Sequence, residues 1–83
     1  MNWCVYIVEC NDRSLYTGIT NDLVNRIIEH NRGRGARYTA GKRPVRLVYW
    51  EHAADKGAAS RKESEIKAWS REKKMTLIAR EKG

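Results

Sequence analysis

Trp3 to Thr20 reads WCVYIVECNDRSLYTGIT, two runs rich in aromatic and branched residues with Asn11, Asp12, Arg13 and Ser14 between them. Branched and aromatic side chains suit a pleated, half-buried surface, and Asn, Asp and Ser favour chain reversal. The stretch therefore predicts a β-hairpin, with strands over Trp3–Cys10 and Leu15–Thr20. The period of two puts Cys4, Tyr6, Val8 and Cys10 on one face of the first strand, and Tyr16, Gly18 and Thr20 on one face of the second. The pattern leaves the pairing register open.

Beyond the hairpin, Leu23, Val24, Ile27 and Ile28 recur at three- and four-residue spacing, which predicts a helix with one apolar stripe, capped by Thr20 or Asn21. Arg26 and His30 sit one turn apart on another face of it. From Asn31 to Lys42, Gly33, Gly35 and Gly41 alternate with Arg32, Arg34, Arg37 and Lys42, the composition of a flexible basic loop. Pro44 precedes a third strand, Val45–Glu51, in which Val45, Leu47 and Tyr49 alternate with Arg46, Val48 and Trp50. Ala58–Ser70 has the composition of a helix with Ile66 and Trp69 turned inward, and Arg71–Lys82 adds a shorter closing helix. Trp3, Trp50 and Trp69 are expected in the core, and His52 is given no role. The order strand, strand, helix, strand, helix, helix implies an α+β domain, a small antiparallel sheet with helices packed on it.

The 83 residues fit one domain, spanning 1–83. Lys and Arg outnumber Asp and Glu by 17 to 10, a net charge of +7 that favours polyanionic partners. No stretch approaches the ~20 apolar residues of a membrane span, and the N-terminal run lacks the basic leader of a signal peptide. Cys4 and Cys10 would lie roughly 20 Å apart along one strand, too far to bridge each other or share a zinc ion. Two free thiols fit a reducing cytoplasm.

One set of residues carries more. Val5 and Tyr6 in the first strand, Tyr16, Thr17 and Gly18 in the second, Arg26 and His30 on the helix and Glu63 on a later helix occur together with LYTGITN (15–21), GRGARYT (33–39), RPVRL (43–47) and ESEIK (63–67). This pattern resembles the GIY-YIG nuclease superfamily, closest to its short stand-alone bacterial members, and spans nearly the whole chain. Cys4 stands where that family's first triad has glycine and Val5 where it has isoleucine, a difference of packing.

The resemblance implies a three-stranded antiparallel sheet flanked by helices and a metal-dependent endonuclease that hydrolyses phosphodiester bonds in a repair or recombination setting. DNA is the expected substrate, although the residues themselves leave DNA and RNA open. By the same resemblance Glu63 holds one divalent ion, Mg2+ or Mn2+, Tyr6 activates or orients water, and Arg26 contacts the scissile phosphate. Tyr16, His30 and Tyr38 position groups by hydrogen bonds. Arg32, Arg34, Arg37, Lys42 and Arg43 form the expected phosphate-binding loop. The alternative is a nucleic-acid-binding module of the same fold with little activity unless a partner protein supplies specificity. Taken singly, these residues have blander readings: strand aromatics for the tyrosines, a solvated helix face for Arg26 and His30, and an ion pair with Lys67 for Glu63. Only their joint occurrence favours the site.

Overall fold

The computed structural model describes residues 2–82. The hairpin forms as β1 (Trp3–Glu9) and β2 (Leu15–Thr20), antiparallel, with Tyr6 opposite Gly18 and Val8 opposite Tyr16. In the turn the Asp12 carboxylate accepts from the Ser14 backbone N–H at 2.9 Å, while Arg13 takes a left-handed φ of 73°. β3 (Arg46–Ala53) pairs antiparallel with the other edge of β1, giving the order β2-β1-β3. Directly opposed residues share a face, so Tyr6, Gly18 and Tyr16 lie on the same side of the sheet. The α+β, three-stranded antiparallel expectation holds.

Two cores sandwich this sheet. On one side Val5, Ile7 and Tyr49 meet Ala59 and Ile66 of α3 (Lys56–Lys67) and Ile78 of α4 (Arg71–Lys82). On the other, Tyr6, Val8, Cys10 and Val45 meet Leu23 and Ile27 of α1 (Leu23–Asn31). Both cysteines are buried free thiols.

Several expectations need correction. The β3 alternation breaks at a bulge: Ile7 pairs with Tyr49 but Val8 with Leu47, so Val48 is the extra residue, and Tyr49 joins the opposite core from Val45 and Leu47. Asp22, not Thr20 or Asn21, caps α1, its carboxylate accepting from the Asn25 N–H, while the Thr20 hydroxyl accepts from the Asp22 N–H at 3.0 Å. The apolar stripe of α1 is half used. Leu23, Ile27 and His30 fall on the inward line at spacings of four and three, which rotates Val24 (73% exposed) and Ile28 (43%) toward solvent. Trp50 on the edge strand is 47% exposed, its ring against His52, whereas Trp3 and Trp69 do pack on the core margin. α4 matches α3 in length, at 12 residues each.

The expected flexible loop is a packed segment. It contains a short helix, α2 (Arg37–Ala40), whose Thr39 is fully buried. The Asn31 side chain fastens its start to the entry of β3, donating to the Val45 carbonyl at 3.1 Å and accepting from the Val45 N–H at 2.7 Å.

Candidate active site

A buried line of polar groups runs from the sheet through α1 to α2. The Tyr6 hydroxyl lies 2.7 Å from His30 Nε2, and His30 Nδ1 lies 2.8 Å from Thr39 Oγ1. Tyr6 is 2% exposed, and His30 and Thr39 are fully buried. The proton positions follow from chemistry. The single Thr39 hydroxyl proton goes to the Ala36 carbonyl at 3.2 Å, which can only accept. His30 Nδ1–H must then donate to Thr39, so Nε2 of the neutral ring carries a lone pair and accepts the Tyr6 O–H.

Two glycines make room for this line. A Cβ at Gly18, across from Tyr6, would lie 2.6 Å from the phenol oxygen, and one at Gly35 would enter the His30 ring and come within 2.8 Å of its Cα. The second tyrosine-to-glycine triad thus has a steric reason: Gly18 is the floor on which the Tyr6 ring rests.

The remaining candidates gather around these groups. The Tyr16 ring meets the His30 ring edge-on at 5.4 Å, and Tyr38, itself 44% exposed, stacks on Tyr16 at 5.8 Å. Lys42 caps the Tyr38 ring at 3.7 Å. Burial pushes the Tyr6 phenol well above its ordinary range; Tyr16 and Glu63 push the same way, while Arg26 opposes them. Glu63 pairs with Lys67 at 3.3 Å, and the Lys67 ammonium lies 6.0 Å over the Tyr16 ring. The structure therefore groups Tyr6, Tyr16, His30 and Tyr38 by ring contact, with Arg26 and Glu63 close enough for their charges to act on Tyr6. It assembles them at the β2 edge from both helical layers.

Sequence reading passed over Thr39 and Gly35, although the GRGARYT phrase held both. It also left Lys67 as a mere surface partner of Glu63. The loop cations are largely engaged within the protein: Arg32 and Arg34 share Glu29 at 3.6 Å each, Lys42 pairs with Asp12, and Arg43 donates to the Ala40 carbonyl.

Burial lowers the His30 pKa, and Arg26 lowers it further. An imidazole that resists protonation only when folded lets the unfolded chain take up a proton first, so stability is fully present above the ordinary pKa of 6.5 and declines as pH falls below it. The thermal midpoint should fall between about pH 7 and pH 5, before the carboxylates titrate. His30→Asn should flatten that slope whatever its own starting stability. Parallel slopes for the two proteins would show that His30 is not the responsible group.

Among the described residues no three His, Cys, Asp or Glu side chains cluster as a metal cage. A single carboxylate suits a hard divalent ion that keeps most of its waters, and Glu63, whose side chain is 21% exposed, engages Lys67 through Oε2 at 3.3 Å. The donor set fits magnesium or manganese and not zinc. No helix among the described residues is long and apolar enough to cross a membrane.

A hairpin carrying two tyrosines on one face, a helix carrying Arg and His, and a later helix carrying Glu63 define a nuclease-type fold with a metal-compatible site. Residues 2–76 match the GIY-YIG catalytic domain, and the chain belongs to that family. It is similar to a UPF0213 protein of Haloquadratum walsbyi, 55% identical over 88% of this chain and 82% of that protein. A UPF0213 protein of Staphylococcus saprophyticus is 53% identical over 90% and 92% of the two chains. The solution NMR structure of a UPF0213 protein from Bacillus halodurans, 48% identical, superposes with a TM-score of 0.61 over 95% of this chain and 84% of that one.

Proposed function

We propose that this protein is a metal-dependent endonuclease that hydrolyses phosphodiester bonds of nucleic acid, DNA foremost, in the cytoplasm and in a repair or recombination setting. The observation that carries the reading is the buried Tyr6–His30–Thr39 line, with its proton direction fixed, beside Arg26 and Glu63.

Hydrolysis needs an activated water, neutralised phosphate oxygens and a stabilised leaving oxygen. Tyr6 donates its proton to His30, which leaves the lone pairs of its oxygen for a water. As that water attacks phosphorus, its proton passes to the Tyr6 oxygen while the phenol proton moves to His30 Nε2. Because the phenol gains one proton as it loses another, the reaction never needs a free tyrosinate, which burial would make costly. The Arg26 guanidinium neutralises the non-bridging oxygens of the scissile phosphate. Tyr16 and Tyr38 hold the backbone against the site, and Arg32, Arg34, Arg37, Lys42 and Arg43 contribute to phosphate binding. Glu63 would hold one Mg2+ or Mn2+ ion, which when bound supplies electrophilic stabilisation of the phosphate and leaving oxygen.

The Lys67 ammonium on Glu63 supports a second reading, in which the protein binds nucleic acid and cuts little until a partner protein completes the site. Incubating labelled single-stranded, duplex, flapped and branched DNAs and matching RNAs with magnesium, manganese or chelator separates the two. Cleavage of any of them that requires metal supports the nuclease. Binding without cleavage across the whole panel would leave the module.

A further inference from the structure

We infer that the helical layer of α3 and α4 is the principal surface on which the nucleic-acid backbone lies, anchored by Lys56, Lys62 and Lys73 around Trp3 and Trp69. The inference rests on the functional reading above and goes beyond it, because that reading puts phosphate binding on the loop of residues 31–43.

The distribution of charge comes first. From Lys56 onward the chain has nine basic residues against four acidic ones, so five of its seven net positive charges belong to this segment. The first 55 residues, including the arginine-rich loop, contribute only two. Much of the loop charge is already answered from inside, by Glu29 for Arg32 and Arg34 and by Asp12 for Lys42. On α3 and α4 the balance differs. Among the described residues no carboxylate lies within ion-pair distance of Lys56, Arg61, Lys73 or Lys74, and Lys62 reaches only Glu65, at 3.9 Å. Unanswered cations are the ones whose release of counterions drives binding to a polyanion.

The placement of aromatic rings is a second, independent observation. Lys62 from α3 and Lys73 from α4 converge on the single ring of Trp69, at 5.8 Å and 4.4 Å from its centroid, and Lys56 lies 5.5 Å over Trp3. Two ammonium groups drawn to one indole raise the local potential, and the indole holds their stems in place. Phosphates are the ligand this arrangement fits, since each ammonium acts as a point charge on an oxygen. The same α3 helix also carries a cation at the site, because Lys67, on the flank opposite Lys62, pairs with Glu63 and overlies Tyr16.

Two variants of the full-length protein, each lacking three positive charges, test the assignment: Lys56→Gln with Lys62→Gln and Lys73→Gln, against Arg32→Gln with Arg34→Gln and Arg37→Gln. Binding of a labelled duplex is followed by fluorescence anisotropy in chelator over a range of salt, so that no cleavage intervenes. The α3–α4 variant is expected to bind about tenfold more weakly and to lose roughly 2 to 3 from the slope of log affinity against log salt, the loop variant threefold at most and less than one from the slope. Acetylation of the parent protein gives a reading independent of variant folding: bound duplex should protect Lys62 and Lys73 several-fold more than Lys42. The opposite ranking, or equal losses with equal protection, overturns the inference. So does a parent that ignores nucleic acid but binds phosphatidylglycerol vesicles through these lysines. A protein that follows the expected ranking yet cuts nothing would fail the nuclease reading alone. One that cuts but ranks the loop first would fail this inference alone.

Discussion

Glu63→Gln is expected to lower metal-dependent cleavage by about a thousandfold or more, a loss of ~4 kcal/mol in transition-state stabilisation, while nucleic-acid binding stays near that of the parent. Glu63 is a carboxylate whose charge acts on Tyr6, and its ion pair with Lys67 is a feature that a bound ion would have to share or displace. Glutamine keeps the size and nearly the helix propensity of glutamate but not the anionic oxygen that a hard cation needs. The basic surface is untouched, and one fewer negative charge cannot weaken attraction to phosphate. Glu65→Gln is the control: its exposed carboxylate, two residues on, reaches Lys62 on the other flank of α3. Single-turnover cleavage by parent, Glu63→Gln and Glu65→Gln decides the matter. Equal rates for all three would reduce Glu63 to the partner of Lys67 and remove the proposed metal site.

The hairpin was legible because its signals are local. A run of aromatic and branched residues and a polar break needed nothing from the rest of the chain, and the fold class followed from the order of the elements; that Tyr6 and Tyr16 share a face came only with the pairing. What the sequence hid was set by tertiary contact. The β3 bulge at Val48 depends on β1 across the ladder, so the regular spelling of Val45 to Trp50 suggested an alternation that the pairing breaks. His30 looked like the polar side of α1, because a helical repeat gives which residues share a line but not which line faces inward. Here a buried histidine takes the inward place that apolar Val24 and Ile28 seemed to claim. The segment of residues 31–42 departs furthest from what its composition suggests. Glycine and arginine usually mark mobile chain, yet Gly35 is required by close approach to His30, and Thr39 is the last member of the buried polar line. The resemblance named most of the candidate residues; it did not say that Thr39 fixes the histidine tautomer, which emerges only from counting donors and acceptors.

Gly35→Ala should be among the most damaging single-methyl changes in the molecule, destabilising it by about 2 to 3 kcal/mol. The reason is contact and not backbone conformation, since Gly33 is the only described glycine with positive φ. The new methyl would run into the His30 ring, and its 2.8 Å approach to the His30 Cα cannot be relieved by rotating a side chain. Either α1 or the chain leading into α2 must move, and both move at the expense of the 2.8 Å bond between His30 and Thr39. For a chain of this length the loss corresponds to a fall of roughly 10 °C or more in the thermal midpoint. Gly18→Ala gives a useful contrast. Its nearest contacts are the side chain of Tyr6 and no backbone atom, but that ring is buried and held by His30, so stability and activity should both fall. Gly41→Ala, with no atom within 4 Å of the added carbon, should change the midpoint little. Thermal unfolding of the three variants, with the His30 ring nitrogens followed by NMR, checks the order. If Gly35→Ala were as stable as Gly41→Ala and kept Nδ1 protonated and Nε2 unprotonated, the close packing of Gly35 against His30 would not be what holds the ring.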